Sequence, residues 1–325
     1  MLVLSADDQR KTITMKEAID SVALALLEFS KGRTDSPIRT AIPIKQEAAA
    51  LFMPSYIDET NSLGIKIVSV FPQNKALGKS TISGLMILLD TDTGQPLALM
   101  EASYLTILRT GAVTGLATKY LASKEAKKLA VIGTGAQLRG LIEAIITVRQ
   151  IEEITLFNRS QQKAEQLRLE ISKKYPDTKI VIDKTSQEAI QNADIIVTAT
   201  NSYETVINGP IAEGIHINAI GSFKPSMQEI PTHIVKKANK IVVESKEAAL
   251  EEIGDIIIPI REGVLTPDDI YAELGEIVLG NRNGRQSEQE VTIFKSVGFA
   301  PMDVAVAKTI YDRAVSLDLG TSVKF

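Results

Sequence analysis

The sequence contains no cysteine and only two histidines in 325 residues. Without cysteine the chain can form no disulfide, no thiol nucleophile and no cysteine-ligated zinc site. The two histidines, His216 and His233, argue against a histidine-rich metal centre. We therefore expect no metal site.

Positive charge is not in excess either, because 36 Lys and Arg residues face 40 Asp and Glu residues, for a formal charge of −4. Nucleic-acid binding needs clustered cations, so nucleic acid is not an expected partner. No apolar run reaches the roughly 18 residues of a membrane span, so no membrane association is expected. Asp7 and Asp8 interrupt the N-terminus before a secretory apolar segment could form. The expected location is the cytoplasm.

Hydrophobic residues make up 44% of the chain, enough for the cores of two domains at this length. In the first hundred residues, Thr14 and Glu17 have the spacing of a capping box, and a helical apolar pattern follows them. Four extended runs come next, namely Ala48 to Met53, Gly64 to Phe71, Thr81 to Leu89 and Pro96 to Met100. This part is predicted to be an α+β unit with a largely antiparallel sheet.

From Lys127 onward, apolar strands alternate with helical segments, a pattern typical of a doubly wound parallel sheet. The predicted strands are Lys128–Ile132, Glu153–Phe157, Thr178–Ile182, Asp194–Ala199, Ile215–Ile220 and Lys240–Val243. A last helix is predicted from Pro301 to Val315, with proline in its first turn. The fold class is therefore α/β, a Rossmann sheet plus an α+β N-terminal domain.

The first of these parallel strands runs into Gly133-Thr134-Gly135-Ala136-Gln137, and a helix is predicted from Gln137. Gly133 permits the tight turn, and Gly135 lets the backbone approach a pyrophosphate at the helix N-terminus. Leu138 stands where a third glycine is usual, and a plain strand–helix turn is the alternative. The strand–helix repeat that follows favours a dinucleotide site.

The second predicted strand ends in Asn158-Arg159-Ser160, without the acidic residue that usually holds the ribose of NAD. A cation at this place suits the 2′-phosphate of NADP. The alternative is a solvated arginine at a helix start. We expect NADPH, with NADH possible.

Three cations in the first domain have apolar neighbours. Arg39 lies in a short segment bounded by two prolines, Lys66 lies within an apolar strand, and Arg109 interrupts an apolar helix. Taken singly, each is better explained as a surface residue that extends its charge into solvent or forms a salt bridge.

Together these segments resemble the ornithine cyclodeaminase/mu-crystallin family. The matching segments, in order along nearly the whole chain, are Pro37-Ile38-Arg39, Met53-Pro54, Gly64-Ile65-Lys66-Ile67-Val68, Leu108-Arg109-Thr110-Gly111-Ala112, Ile132-Gly133-Thr134-Gly135-Ala136-Gln137, Ala219-Ile220-Gly221-Ser222 and Lys295-Ser296-Val297-Gly298. The Arg-Thr-Gly-Ala element paired with Gly-x-Gly-Ala-Gln is the most specific of these.

The resemblance implies a homodimer in which residues 1–115 and 301–325 form the substrate-binding and dimerisation domain, and residues 116–300 form the NAD(P)-binding Rossmann domain. It implies that Arg39, Lys66 and Arg109 hold a substrate carboxylate, with Lys66 and Arg109 catalytic, and that Val297 contacts the substrate. The cofactor contacts that it implies are Thr81, Arg109, Gly133, Gly135, Ala136, Gln137, Asn158, Arg159, Thr200, Ser222 and Ser296.

The sequence departs from the cyclodeaminases of the family at two positions. Ser222 replaces their catalytic aspartate, and Leu51 stands where they have a glutamate. Serine is not a strong base near neutral pH, so deprotonating an ammonium group becomes difficult. The Gly-Ser-x-x-Pro run resembles that of the family's ketimine reductases instead.

This resemblance implies that NADPH reduces a small cyclic imino acid, Δ1-pyrroline-2-carboxylate, to L-proline, with the six-membered homologue, reduced to L-pipecolate, as an additional candidate substrate. Arg39 and Arg109 would fix the carboxylate so that the imine carbon faces the nicotinamide, and Lys66 would be a third contact or the proton donor. The alternatives are ornithine cyclodeamination, an alanine-type amino-acid dehydrogenase, and a non-catalytic binder of NADPH and a small molecule.

Overall fold

The computed structural model describes residues 1–44 and 48–324 of the chain. Its strands are β1 (Leu2–Leu4), β2 (Thr34–Asp35), β3 (Thr40–Pro43), β4 (Ala49–Ile57), β5 (Ser62–Val70), β6 (Ile82–Leu89), β7 (Pro96–Glu101), β8 (Lys128–Ile132), β9 (Glu153–Phe157), β10 (Lys179–Ile182), β11 (Ile195–Thr198), β12 (His216–Ala219), β13 (Lys240–Val243), β14 (Ile270–Glu273), β15 (Thr292–Lys295) and β16 (Thr321–Ser322). Its α-helices are α1 (Ala6–Thr12), α2 (Met15–Ser30), α3 (Ala102–Leu121), α4 (Leu138–Val148), α5 (Gln161–Lys174), α6 (Ser186–Ile190), α7 (Thr232–Lys237), α8 (Lys246–Glu252), α9 (Gly254–Arg261), α10 (Leu274–Leu279) and α11 (Ala300–Ser316). Short 3₁₀ helices span Pro72–Leu77 and Pro267–Asp269.

The chain divides into two compact units. The first comprises Met1–Ala112 and Gly298–Phe325, and the second comprises Val113–Val297. The domain boundaries predicted from the sequence lie three residues further along at each division. The roles assigned to the two units stay a prediction.

The first unit contains a mainly antiparallel sheet in the order β16-β1-β7-β6-β5-β4-β2, with β3 also paired to β4. Helix α11 packs on α2 and across β4, β5 and β6, which covers one face of the sheet. One row across this covered face reads Met53, Lys66, Met86 and Met100 on four adjacent strands. A lysine therefore occupies a position at which its cross-strand neighbours are methionines.

The opposite face of this sheet is also apolar. One row contains Phe52, Ile67 and Leu85, and another contains Pro54, Ile65, Ile87 and Leu99. The side chains of these rows are half-buried or exposed, and Leu85 is 46% exposed. We call these two rows the apolar sheet face.

The described strands of the second unit form a fully parallel sheet in the order β10-β9-β8-β11-β12-β15-β13-β14. Alternate residues of β8 enter two different cores: Leu129 and Val131 pack with α4 and α5, whereas Ala130 and Ile132 pack with the cluster that includes α7 and α9. Helices therefore cover both faces, as in doubly wound folds. The predicted α/β Rossmann class with a second α+β unit is confirmed.

Most predicted elements are present, with some differences. The capping box at Thr14 is confirmed, because Glu17 N–H donates to Thr14 Oγ1 (3.3 Å) and Thr14 N–H donates to Glu17 Oε2 (2.8 Å). The helix it starts is the second of the chain, since β1 and α1 precede it. The sequence did not predict β14 and β15, because each has four residues and ends in a charged one, Glu273 or Lys295.

None of the described helices has both the length and the apolar character needed to cross a bilayer. Within residues 1–44 and 48–324, no three His, Cys, Asp or Glu side chains are grouped in a way that could hold a metal ion.

Candidate active site

Two cations of the first unit meet on one buried carboxylate. Lys66 Nζ donates to Asp303 Oδ2 at 2.6 Å, and Arg109 Nε donates to Asp303 Oδ1 at 3.0 Å. Asp303 has no exposed surface, and Lys66 and Arg109 are 2% and 6% exposed. Since each oxygen serves a different cation, the carboxylate fixes how far apart the two cations lie. We call these three side chains the Asp303 cluster.

Three elements bring the Asp303 cluster together. Lys66 comes from β5, Arg109 from α3, and Asp303 from the first turn of α11. An aspartate is favourable in the first turn because it faces the positive end of the helix dipole. Asp303 was not predicted as a site residue, although it is the single charged residue within the apolar run from Met302 to Ala307.

The absence of a side chain at Gly298 leaves room for the Arg109 guanidinium. Gly298 has a φ of +92°, and a Cβ on it would lie 2.8 Å from both Arg109 Nη1 and Nη2. Glycine adopts this left-handed conformation without the penalty that other residues incur. The Ser-Val-Gly segment therefore contributes to the site through backbone shape.

Burial of Lys66 is the main reason why its pKa falls from 10.5 to about 8. The Asp303 carboxylate opposes the fall, whereas Arg109 and then Arg39 add to it. Burial therefore has a larger effect on this pKa than either arginine. Arg39 is half-buried and close enough to act on Lys66, so the three predicted cations belong to one electrostatic neighbourhood.

The glycine turn of the second unit lies at the carboxyl ends of β8 and β11. Gly133 has a φ of +113°, its N–H donates to Phe157 O (2.9 Å), and a Cβ on it would lie 2.8 Å from Ala199 O. Gly135 and Ala136 are exposed. The order of the strands reverses between β8 and β11, the point at which doubly wound sheets bind ligands.

Helix α4 begins directly after this turn, with Gln137 as its N-cap residue and no side chain capping it. An uncapped helix start presents backbone N–H groups and positive dipole to an anion. Gln137 Oε1 is buried and has no hydrogen-bond partner among the described residues. These features fit a dinucleotide pyrophosphate.

The segment after β9 presents a cation to solvent. Asn158 Nδ2 donates to Ser160 O (2.9 Å), and Ser160 Oγ caps α5 by accepting from Lys163 N–H (3.4 Å). Arg159 is exposed and forms no ion pair with any residue that the structure describes. Its guanidinium is therefore available to a phosphate.

A buried carboxylate, Glu229, ties together the loops that follow β11 and β12. It accepts hydrogen bonds from Thr198 Oγ1 (3.0 Å), from Thr200 N–H and Oγ1 (both 2.7 Å), from Gly221 N–H (2.6 Å) and from Ser222 N–H (3.2 Å). A side chain on Gly221 would collide with the Thr200 backbone. The predicted cofactor contacts Thr200 and Ser222 are therefore held by one residue whose role the sequence analysis missed.

A buried ion pair of Asp255 and Lys295 lies next to Glu229. Asp255 Oδ1 accepts from the N–H groups of Glu229 (2.7 Å) and Ile230 (2.9 Å), and Lys295 Nζ lies 3.2 Å from Asp255 Oδ2. Burial raises the pKa of Glu229; Asp255 raises it further and Lys295 opposes. The Asp255 carboxylate therefore holds the backbone at Glu229 and Ile230.

The remaining predicted site residues are also placed. Ser222 is buried, and its Oγ donates to Met227 O (2.8 Å). Ser296 Oγ donates to Glu244 Oε1 (2.6 Å), and Val297 N–H donates to Glu244 Oε2 (3.2 Å). Thr81, in the first unit, accepts from Phe71 N–H through its carbonyl (2.8 Å).

His216 is a core residue. It is fully buried, its Nδ1 lies 2.9 Å from Thr292 Oγ1, and burial lowers its pKa to about 3. It is therefore neutral at physiological pH.

The chain resembles known proteins along its whole length. A model of the ornithine cyclodeaminase/mu-crystallin family matches residues 1–318. The chain is 50% identical over 326 aligned positions to a Δ1-pyrroline-2-carboxylate reductase of Bacillus cereus, with 100% of each chain covered. The structure of Thermococcus litoralis Δ1-pyrroline-2-carboxylate reductase in complex with NADH and L-proline is 42% identical, has a TM-score of 0.96 and covers 99% of this chain and 100% of that one. An archaeal alanine dehydrogenase dimer with bound NAD is 35% identical, with a TM-score of 0.93 and coverage of 100% and 99%.

Proposed function

The chain belongs to the ornithine cyclodeaminase/mu-crystallin family, and from this premise we propose that it reduces Δ1-pyrroline-2-carboxylate to L-proline. The observation that carries the proposal is the Asp303 cluster, in which two buried cations face a single carboxylate. The two cations outnumber the single carboxylate, so the cluster has a net positive charge that suits the carboxylate of a cyclic imino acid. The chain is also 50% identical to a reductase of this imine.

Arg109 and Lys66 are proposed to bind the substrate carboxylate in different ways. A guanidinium can grip a carboxylate with two parallel hydrogen bonds, whereas an ammonium contributes a compact charge. Arg109 uses Nε for Asp303, which leaves its Nη groups to orient the substrate carboxylate. Arg39, which acts electrostatically on Lys66, is proposed as the third contact.

Reduction adds a hydride to the imine carbon and a proton to the imine nitrogen, which gives the secondary amine of proline. A reduced nicotinamide, when bound, supplies the hydride. Lys66 is the group of the Asp303 cluster that can release a proton, because its pKa of about 8 lies close to neutrality. We propose that it contacts the carboxylate and donates the proton.

Cyclodeamination is disfavoured by the geometry of Ser222. The hydroxyl is buried and donates to Met227 O, so it is not positioned or basic enough to deprotonate an ammonium group. Leu51, on β4, supplies no carboxylate either.

The residues proposed to hold the dinucleotide are those of the second unit's glycine turn and loops, listed here as Gly133, Gly135, Ala136, Gln137, Asn158, Arg159, Thr200, Ser222 and Ser296, together with Thr81 and Arg109 of the first unit. The exposed Arg159 after β9, with no acidic residue beside it, favours NADPH over NADH.

We further propose a homodimer formed through the apolar sheet face. Adjacent apolar side chains that stay partly exposed to water mark interaction surfaces on soluble domains. A twofold interface uses the same patch on both subunits.

The test is a spectrophotometric assay of the purified protein with Δ1-pyrroline-2-carboxylate, its six-membered homologue, and either NADPH or NADH. We expect loss of the reduced cofactor with the five-membered imine and formation of L-proline. The same mixture without enzyme is the control for background reduction.

An alanine-type dehydrogenase is the second candidate, favoured by the 35% identical relative of that name. Turnover of pyruvate plus ammonium in place of the imine would support it. Cofactor binding without turnover of any imine would instead indicate a non-catalytic binding protein.

A further inference from the structure

The carboxylate of Asp303 is unexpected in a site proposed to bind an anion. A negative charge there weakens the attraction for a substrate carboxylate, and burying it costs free energy unless it is paired. Both of its oxygens are paired, one with each cation. Its benefit must therefore come from what it does to those cations.

Lys66 is the cation that needs such a partner. The charged groups that act on it come from three segments: Asp303 of α11, Arg109 of α3, and Arg39 of the stretch between β2 and β3. The methionines at cross-strand positions on β4 and β6 offer no charge. Burial and both arginines favour the neutral amine, and Asp303 alone among these groups favours the ammonium.

Asp303 also fixes the positions of the two cationic groups relative to each other. Its two oxygens hold Lys66 Nζ at 2.6 Å and Arg109 Nε at 3.0 Å, on side chains that come from different elements. Without it, two like charges would lie together in the protein interior with nothing between them.

We propose that Asp303 is the positioning residue of the substrate site, which fixes the spacing of Lys66 and Arg109 and retains the proton on Lys66. The inference rests on the proposed function, because it takes the substrate to be a carboxylate. Asp303 acts through the two cations and is not itself proposed to touch the substrate.

The first experiment needs no substrate. In protein labelled with ¹³C at lysine Cε, the Lys66 resonance is identified by its absence in Lys66→Met and titrated by NMR in the wild type and in Asp303→Asn. Loss of an opposite charge at hydrogen-bond distance lowers a lysine pKa by about 1–3 units. We expect a fall in that range. An unchanged Lys66 titration in folded Asp303→Asn would overturn the proposal.

The second experiment compares kinetics. In Asp303→Asn, we expect a higher KM for the imine and an alkaline limb of kcat/KM that moves to lower pH with the NMR titration. Part of the activity should return on acidification, which a general structural defect would not produce. Equal loss at every pH would contradict the inference.

Asp303→Glu keeps the proposal testable if the asparagine variant does not fold. It retains the charge but is longer by one methylene, so the Lys66 titration should stay near that of the wild type while KM rises. A wild-type KM in this variant would overturn the spacing claim.

Asp312→Asn, on the exposed side of α11, is the matched control and should change neither readout. If the wild-type protein reduces no imine but the Lys66 pKa still falls in Asp303→Asn, the proposed function is wrong and the effect of Asp303 on Lys66 stands.

Discussion

At the scale of single residues, the buried lysines Lys66 and Lys295 differ in function because their neighbouring charges differ. Lys66 shares Asp303 with Arg109, so its cluster has surplus positive charge. Lys295 Nζ lies 3.2 Å from Asp255 Oδ2, while backbone N–H groups donate to Asp255 Oδ1 and to both oxygens of Glu229. The first arrangement is the one that we propose binds an anion, whereas the second holds together the loops after β11 and β12.

The pH dependence of catalysis should report Lys66. Its pKa is lowered from 10.5 to about 8, so the side chain is charged below that pH and neutral above it. We therefore expect kcat/KM to fall as pH rises through about 8, since the neutral amine neither attracts the carboxylate nor donates a proton. Lys66→Met should lack this limb and lose activity about ten- to a hundredfold, as expected for a hydrogen bond to a charged group. A limb that persists in Lys66→Met would assign it to another group.

Arg159 should decide the choice of cofactor. Arg159→Ala should raise KM for NADPH about ten- to a hundredfold through loss of a charged hydrogen bond, and leave KM for NADH nearly unchanged. Arg168→Ala is the matched control, because Arg168 lies on α5 and pairs with Glu165. Equal effects on both cofactors would contradict a 2′-phosphate contact.

At the scale of elements, the two glycines between β8 and α4 have separable tasks. Gly133→Ala puts a side chain at a φ of +113° against Ala199 O, so it should lower the free energy of unfolding by about 1–3 kcal/mol. Gly135→Ala meets only an ordinary contact of 3.5 Å. It should keep the wild-type Tm but raise KM for the cofactor about five- to a hundredfold through overpacking against the pyrophosphate. Thermal unfolding and steady-state kinetics of the pair check this, and a Gly135→Ala enzyme with wild-type KM would exclude the close approach.

These elements also show what a sequence can predict. The β8–glycine–α4 unit was predictable because a buried strand, a tight turn and a helix start are encoded by consecutive residues. The Asp303 cluster was not, because Asp303 lies 237 residues from Lys66 and 194 from Arg109. Glu229 lies only seven residues after Ser222, yet only the fold reveals that its carboxylate accepts hydrogen bonds from the ends of two strands.

At the scale of the whole molecule, the apolar sheet face predicts the oligomeric state. Leu85→Asp places a charge on the most exposed side chain of this face and should shift the mass measured by light scattering from that of a dimer to that of a monomer. Leu169→Asp, at a comparably exposed leucine of α5, should leave the mass unchanged. A Leu85→Asp protein that stays dimeric would place the interface elsewhere. Cytoplasmic localisation stays a prediction.

The most direct test of the central claim follows the hydride. The protein would be incubated with Δ1-pyrroline-2-carboxylate and a reduced cofactor that carries deuterium at both C4 positions, and the product would be analysed by mass spectrometry. The proposed reaction predicts L-proline with one deuterium, at the carbon that bears the carboxylate. Proline without deuterium, or no proline at all, would contradict it.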